Sequence, residues 1–356
     1  MAGHLLVVRL DSMGDMLAAG PAIRAVAAAA DRVTVLCGPA GAAAARLLPG
    51  VDATVVWACP WIVNPPPAVS RSEVDDLTNR IARLRVDQAV ILTSFHQSPL
   101  PTALLLRLAG VPEIVAASED YPGSLLDARL PVAGDAPEPV RMLQTVRAAG
   151  FELPAGDDGR LRVRRPLPDV DAVLPSAARA SLVAVHPGTS APARAYPEPL
   201  WAAALDRLVQ DGWQVALTGS AAEQPLTGRI LAAAGGAAAV AIEDLAGRLD
   251  VAQLAAVLDR AEVTVVANTG PAHLSAAVGT PVVSLFAPVV PALRWAPFGV
   301  PVQLLGDQDA PCRETRWTSC PIAGHPCLSS VSADQIASAV RQVAASDTAP
   351  LEASRR

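Results

Sequence analysis

EVTVVANTGPAHLSAAVGTPVVSLFAPVVPALRWAPF, residues 262–298, decides how the chain is read. Val263 to Ala267 is an unbroken apolar run, the mark of a strand buried on both faces. Asn268, Thr269 and Gly270 break it, and Pro271 stands where a first helical turn tolerates a missing N–H. A short helix of small residues is predicted from His273 to Val278. Gly279 stops it, and a second buried strand follows at Pro281–Phe286. The unit is strand–helix–strand, with its polar turn at the carboxyl end of a strand. Ligands of open α/β sheets bind there, and a helix N-terminus at that place favours phosphate.

Outward from this unit the same alternation fills the chain. Before it come strands at Leu182–Val185, Gln214–Thr218 and Val240–Ile242. Helices are expected at Pro199–Gln210, about Ala221–Ala234 and Val251–Arg260. After it come a strand at Val302–Leu305 and a last helix, Ala333–Ala345, announced by the capping-box signal Ser332-Ala-Asp-Gln335. The first half has strands at Leu5–Leu10, Val33–Leu36, Thr54–Trp57, Ala89–Leu92 and Ile114–Ala116. One helix is predicted over Met16–Ala30 with Ile23 and Val26 inward. Others follow Gly38-Pro39, cover Val74, Leu77, Ile81 and Leu84, and span Pro101–Ala109 and Pro139–Ala149. Pro60–Pro67 is too stiff for helix and reads as a surface loop. Between Asp157 and Ala180 periodicity fades while charge and proline rise, which reads as the inter-domain connection.

At 356 residues with 51% hydrophobic content the chain can fill two cores. Its net charge is −6 and no strongly basic patch is present, which argues against nucleic acid as a partner. All its Lys+Arg cations are Arg, so any cationic contact to phosphate comes from Arg or His. The apolar run at Leu5–Val8 is too short for a signal peptide. No apolar stretch has the length of a transmembrane helix. Five unevenly spaced cysteines suit a reducing compartment, so a cytoplasmic location is expected, with at most peripheral membrane contact.

Four turns carry candidate chemistry. In Arg9-Leu10-Asp11-Ser12-Met13-Gly14-Asp15, Asp15 heads a helix, either as a cap or as a general base at the mouth of the sheet. His186 to Arg194, HPGTSAPAR, offers backbone N–H groups, two hydroxyls and a guanidinium. It reads as a phosphate cradle or as an ordinary polar loop. In Thr218-Gly219-Ser220-Ala221-Ala222-Glu223, Gly219 allows close approach to the backbone and Glu223 can accept from ribose hydroxyls; the other reading is a capping turn on Ser220. In Asn268–His273 the histidine is either structural or a ligand contact. A GxGxxG fingerprint is absent, which argues against a dinucleotide oxidoreductase. Cys312, Cys320, His325 and Cys327 match no zinc spacing and read as structural, so no metal is expected.

Taken as an ordered set, RLDSMGD, HPGTSAPARAYP, TGSAAE, DLAGRLD and NTGPAHLSAAVGTPVVSLF resemble glycosyltransferase family 9, the ADP-heptose:lipopolysaccharide heptosyltransferases. The resemblance implies an α/β GT-B fold: two Rossmann-like, doubly wound domains facing a cleft. The acceptor domain would be 1–165 and the donor domain 166–330. The segment 331–356 would be a helix crossing back to the first domain, followed by a tail. It implies an inverting, metal-independent transferase with no cofactor. A heptose or related sugar would move from an ADP-linked nucleotide-sugar donor to a hydroxyl of a glycan or small-molecule acceptor. Asp15 matches the family's proposed base, with Ser12 and Gly14 on the acceptor side. Thr189, Ser190 and Arg194 match diphosphate contacts, Arg194 standing where many members have Lys. Glu223, with Gly219 and Ser220, matches the ribose side, and Gly247 the region near the base. Asn268, Thr269, Gly270 and His273 match the donor turn, Asn268 where the family usually has Asp. A transferase of another nucleotide hexose, a GT-B sugar-nucleotide epimerase and a non-catalytic sugar-nucleotide-binding protein are the alternatives.

Overall fold

A computed structural model describes residues 3–132, 134–174, 181–235 and 241–346. The chain divides into two compact units, Met1–Arg164 and Arg165–Arg356.

In the first unit six parallel strands lie in the order β3-β2-β1-β4-β5-β6. They are β1 His4–Arg9, β2 Arg32–Cys37, β3 Ala53–Val56, β4 Gln88–Ile91, β5 Glu113–Ala117 and β6 Ala128–Leu130. Val7 of β1 sits opposite Val35 on one side and Val90 on the other. Every residue of β1 after His4 is buried, as a parallel strand covered on both faces requires. The chain order reverses between β1 and β4, so the switch point of this sheet lies at their carboxyl ends.

The second unit repeats the plan with β12-β11-β10-β7-β8-β9. Its strands are β7 Leu182–His186, β8 Gln214–Leu217, β9 Ile242–Asp244, β10 Val263–Ala267, β11 Val282–Leu285 and β12 Val302–Leu305. Numbered within the unit, this is the same order as the first sheet, and all pairings are parallel. Val265 pairs with Val185 and Val283, and the switch point lies between β7 and β10. The helix Gly270–Val278 starts three residues earlier than the spacing predicts. It ends at Gly279, whose φ of 97° is the left-handed cap that favours glycine.

The structure departs from the sequence expectations at several places. The single helix over Met16–Ala30 is two, Met13–Ala18 and Gly20–Ala27, because Pro21 has no N–H to continue the ladder. β6 has only three residues and no sequence signal. Much of the expected connection is not a linker. Asp157 accepts from Arg24 Nε and Nη2 at 2.6 and 2.9 Å, and Arg164 Nε donates to the Leu48 carbonyl at 2.9 Å. Leu161 and Val163 are buried with the first unit; residues 175–180 lie outside the described residues. The last helix is Ala333–Ala344, one residue shorter than expected. Ile336, Ala337, Val340 and Val343 are buried in the second unit's own core, beside the helix Glu198–Gln210 and strands β10 to β12. The strand expected at Val240–Ile242 begins at Ile242, and Val240 lies outside the described residues.

Candidate functional site

The first unit gathers charge at its switch point. β1 ends on Arg9, whose side chain is fully buried. A guanidinium taken out of water must meet carboxylates, and it does. Its Nη2 donates to Asp15 Oδ1 and to Ser94 Oγ, both at 2.9 Å, while Nε lies 3.2 Å from Asp11 Oδ2. Burial alone pulls the Arg9 pKa down; Asp11, Asp15 and Glu138 outweigh it and leave it raised. Asp15 is the third residue of the helix Met13–Ala18, with Ser12 as its N-cap. Its Oδ2 accepts from the Ser12 amide at 3.1 Å and from Ser12 Oγ at 2.6 Å. The capping reading of Asp15 is therefore correct, and it does not exclude chemistry. The side chain is 15% exposed and held by contacts to both oxygens in one orientation. Gly14 is buried on the same turn.

Asp11 is bound on its other side by Gln97, whose Nε2 donates at 2.5 Å. Burial raises its pKa, Arg9 opposes that, and the neighbouring charge of Asp15 adds to it. Ser94 and Gln97 follow β4, so β1 and β4 are tied together across the switch point. The same two residues line a cavity of about 170 Å³ with Ser118, Asp120, Arg141 and Thr145. Arg141 lies 5.8 Å from the Phe95 ring centroid and 3.3 Å from Glu138, both charges being buried.

In the second unit four turns line one edge of the sheet. The turn after β9 reaches its neighbour through Gly247 N, which donates to Gly219 O at 2.9 Å. Gly247 has φ of 70°, and a Cβ there would lie 2.6 Å from Gln224 Nε2. The turn after β8 brings Glu223 over the turn after β7. Glu223 Oε2 accepts from the Ser220 amide at 2.7 Å, and a Cβ on Gly188 would meet its Oε1 at 1.9 Å. Glycine at 188 is what allows this approach. The Cβ position of Gly219 is bordered by Ala246 and Glu223 side chains at 3.3 Å, so its glycine answers to packing within the protein.

His186, the last residue of β7, is buried; burial lowers its pKa, against the pull of Glu223. Thr218 Oγ1 donates to the Val185 carbonyl and so accepts from His186 Nδ1 at 3.0 Å. This assigns the proton to Nδ1 and turns the lone pair of Nε2 towards Glu223, 3.9 Å away. Thr189 Oγ1 accepts from the Ala191 amide at 3.4 Å, Ser190 is exposed, and Arg194 closes a single 3-10 turn, Pro192–Arg194.

Beside β7, β10 ends at Asn268. This residue is 5% exposed, and its Nδ2 has no hydrogen-bond partner among the described residues. A buried amide left without a partner costs about 1–3 kcal/mol, a cost that a bound acceptor removes. Thr269 is the N-cap of the helix Gly270–Val278 and makes no side-chain cap bond; His273, in the first turn of the helix proper, is buried. The donor-side residues singled out in the sequence thus share one sheet edge, and Ser12, Gly14 and Asp15 share the switch point of the other sheet. Sequence reading assigns no role to Arg9, Ser94, Gln97 or His186. For Arg9 a signal exists: a charge closing an apolar strand must find a carboxylate. Among the described residues no group of three or more His, Cys, Asp or Glu is arranged to hold a metal ion, and no helix is long and apolar enough to cross a membrane.

Two doubly wound units, each built on a six-stranded parallel sheet, are the architecture of the GT-B class. The sequence matches glycosyltransferase family 9 (heptosyltransferase) over residues 121–323, more than half of the chain, and the chain belongs to that family. It is 33% identical over 234 residues to lipopolysaccharide heptosyltransferase 1 of Pseudomonas aeruginosa, a match covering 63% of this chain and 61% of that protein. The chain is similar in fold to E. coli ADP-heptose lps heptosyltransferase II, with a TM-score of 0.71, 17% identity and coverage of 97% and 98% of the two chains. It is also similar to E. coli heptosyltransferase WaaC with ADP-2-deoxy-2-fluoro heptose, with a TM-score of 0.68, 18% identity and coverage of 95% and 99%. The family match begins after the Arg9–Asp15 turn.

Proposed function

We propose that this protein transfers a heptose from ADP-heptose to a hydroxyl of a lipopolysaccharide-type glycan, with inversion at the anomeric carbon and without a metal. The observation that carries the reading is the buried Asn268 amide, without a partner beside the N-terminus of Gly270–Val278, on the edge that also bears His186–Arg194. The relative solved with an ADP-heptose analogue supports the donor class. The P. aeruginosa relative supports the acceptor class.

In this scheme the first unit takes the acceptor and the second the donor. Asp15 receives the proton of the acceptor hydroxyl as its oxygen attacks the anomeric carbon. The bond from that carbon to the diphosphate oxygen breaks, and ADP leaves with the electron pair. Arg194, with the hydroxyls of Thr189 and Ser190 and the amides of their turn, meets the charge that develops on the diphosphate. Glu223 accepts from the ribose, with Gly219 and Ser220 forming its turn. Gly247 borders the base. Thr269, Gly270 and His273 present the helix end, and the Asn268 amide donates to the donor. The acceptor's polar groups face the cavity beside Ser94, Gln97 and Arg141.

A thermal-shift panel of nucleotides tests the reading, since a ligand that binds only the folded state raises Tm with its concentration over Kd. The expected result is a shift with ADP and ADP-heptose and none with UDP or GDP. A shift with a different nucleotide sugar would replace the heptose by another hexose, consistent with an amide at 268. No shift with any of them, in folded protein, would overturn the transferase reading.

A further inference from the structure

The loop from Asp307 to Val331 holds Cys312, Cys320, Cys327 and His325, and the transfer scheme gives it nothing to do. Its contacts lead to the cradle. Ala193, immediately before Arg194, is 1% exposed, and both of its backbone polar groups are held by this loop. Its N–H donates to the Thr318 carbonyl at 2.9 Å. Its carbonyl lies 3.0 Å from His325 Nε2, which donates the hydrogen, since a carbonyl only accepts. Just beyond, Tyr196 Oη donates to the Val331 carbonyl at 2.6 Å.

Two of the three thiols anchor the loop in the second unit's core. Cys312 and Cys327 are buried in the same core as Ala193 and Tyr196. Cys327 lies close to Cys312. Burial first, and then the nearby thiols Cys312 and Cys320, push its pKa up to about 12. It is a packed thiol and not a nucleophile. His325 follows this packing with a left-handed backbone, φ 50°, at the head of the short helix Pro326–Ser329.

The planarity of the peptide bond turns this contact into a constraint on Arg194. The Ala193 carbonyl and the Arg194 N–H belong to one rigid plane. His325 holds the oxygen side of that plane, and the Arg194 N–H, bonded to the Ala191 carbonyl at 2.8 Å, holds the other. The preceding plane, which contains the Ala193 N–H, is held by Thr318. On the other side of the Arg194 Cα, the Arg194–Ala195 plane is held by the Ala195 N–H, which donates to the Pro192 carbonyl at 3.1 Å, so the direction in which the Arg194 side chain leaves the backbone is fixed as well.

We propose that His325 is a positioning residue for the donor diphosphate, acting through the Ala193–Arg194 peptide. The proposal rests on the reading that Arg194 and its turn hold the diphosphate. Placement of the guanidinium governs binding of donor and ADP alike, so the effect appears in affinity and KM more than in kcat.

Calorimetric titration of ADP into the full chain, with steady-state kinetics on ADP-heptose, tests this on three variants. His325→Ala is expected to raise the Kd for ADP and the KM for ADP-heptose about 5–10-fold, with kcat within about twofold. His325→Gln keeps an N–H at a similar reach and is expected to return both to within about twofold of the parent. Arg194→Ala is expected to weaken ADP binding by at least about tenfold. A lower Tm for His325→Ala with unchanged ADP affinity, beside a weakened Arg194→Ala, would make His325 merely structural and overturn the proposal. Unchanged affinity in Arg194→Ala would instead remove the diphosphate reading on which it stands. Should His325→Ala fail to fold, His325→Asn replaces it. Asn tolerates the left-handed backbone but falls short of the carbonyl, so unchanged ADP affinity there would equally overturn the proposal.

Discussion

The two sheets share a strand order and differ at their switch points. In the first, the turn after β1 is filled by the protein itself: Arg9 reaches Asp11, Asp15 and Ser94, and Gln97 closes on Asp11. In the second, the turn after β10 leaves the Asn268 amide buried and without a partner among the described residues, and Gly188 lets the Glu223 carboxylate come down onto the turn after β7. In the proposed scheme one architecture serves two tasks. A switch point satisfied internally can hold one carboxylate in one orientation. A switch point left short of an acceptor is suited to receive a ligand.

The sharpest way to break the comparison is to empty the first switch point of its cation. Arg9→Met would leave Asp11 and Asp15 without their buried partner, and removing one member of such a cluster costs about 3–5 kcal/mol. Urea denaturation is expected to show a loss of that size. A loss under about 1 kcal/mol would mean that the cluster is not the integral part of the first unit described above.

A smaller effect is expected from filling the second. In Gly188→Ala the new methyl takes the place of the Glu223 carboxylate, a flexible group that swings aside. The fold should survive and ADP binding weaken by about 1 kcal/mol, roughly the value of one hydrogen bond. Titration with ADP checks it, and an unchanged affinity would separate Glu223 from the ribose.

The smallest effect concerns pH. His186 has a folded pKa below its ordinary 6.5, chiefly through burial. In the window below 6.5 the unfolded chain binds a proton that the folded chain refuses. The stabilisation is therefore complete above 6.5 and is lost as pH falls through the folded pKa. The stability difference between the parent and His186→Gln is expected to shrink between pH 7.5 and pH 5.5. A difference that stays constant would mean that His186 does not carry this pH dependence.

The sheets are legible in the sequence because parallel strands buried on both faces, such as Val263–Ala267, admit little but apolar residues. The candidate residues at strand ends are legible for a related reason, since polar clusters such as Asn268–Gly270 interrupt those runs at once. Partnerships across long separations are not legible. Arg9 and Ser94 stand 85 residues apart, and Asp157 looks like a linker residue until Arg24, 133 residues away, is seen to bind it. The final helix shows its apolar stripe in the sequence, but an amphipathic pattern does not say which core receives it. The break at Ala19, just ahead of Gly20-Pro21, is open to local reasoning, and proline chemistry accounts for it.

In the proposed scheme the first switch point carries the chemistry and the second the binding. Asp15→Asn tests it most directly, with ADP affinity and turnover measured on the same protein. Turnover is read as ADP release from ADP-heptose in the presence of a heptose-free lipopolysaccharide glycan. The expected result is a loss of about 10²–10⁴-fold in kcat, the usual contribution of a general base, with ADP affinity within about twofold of the parent. Turnover that survives, or ADP binding that falls in parallel, would contradict it.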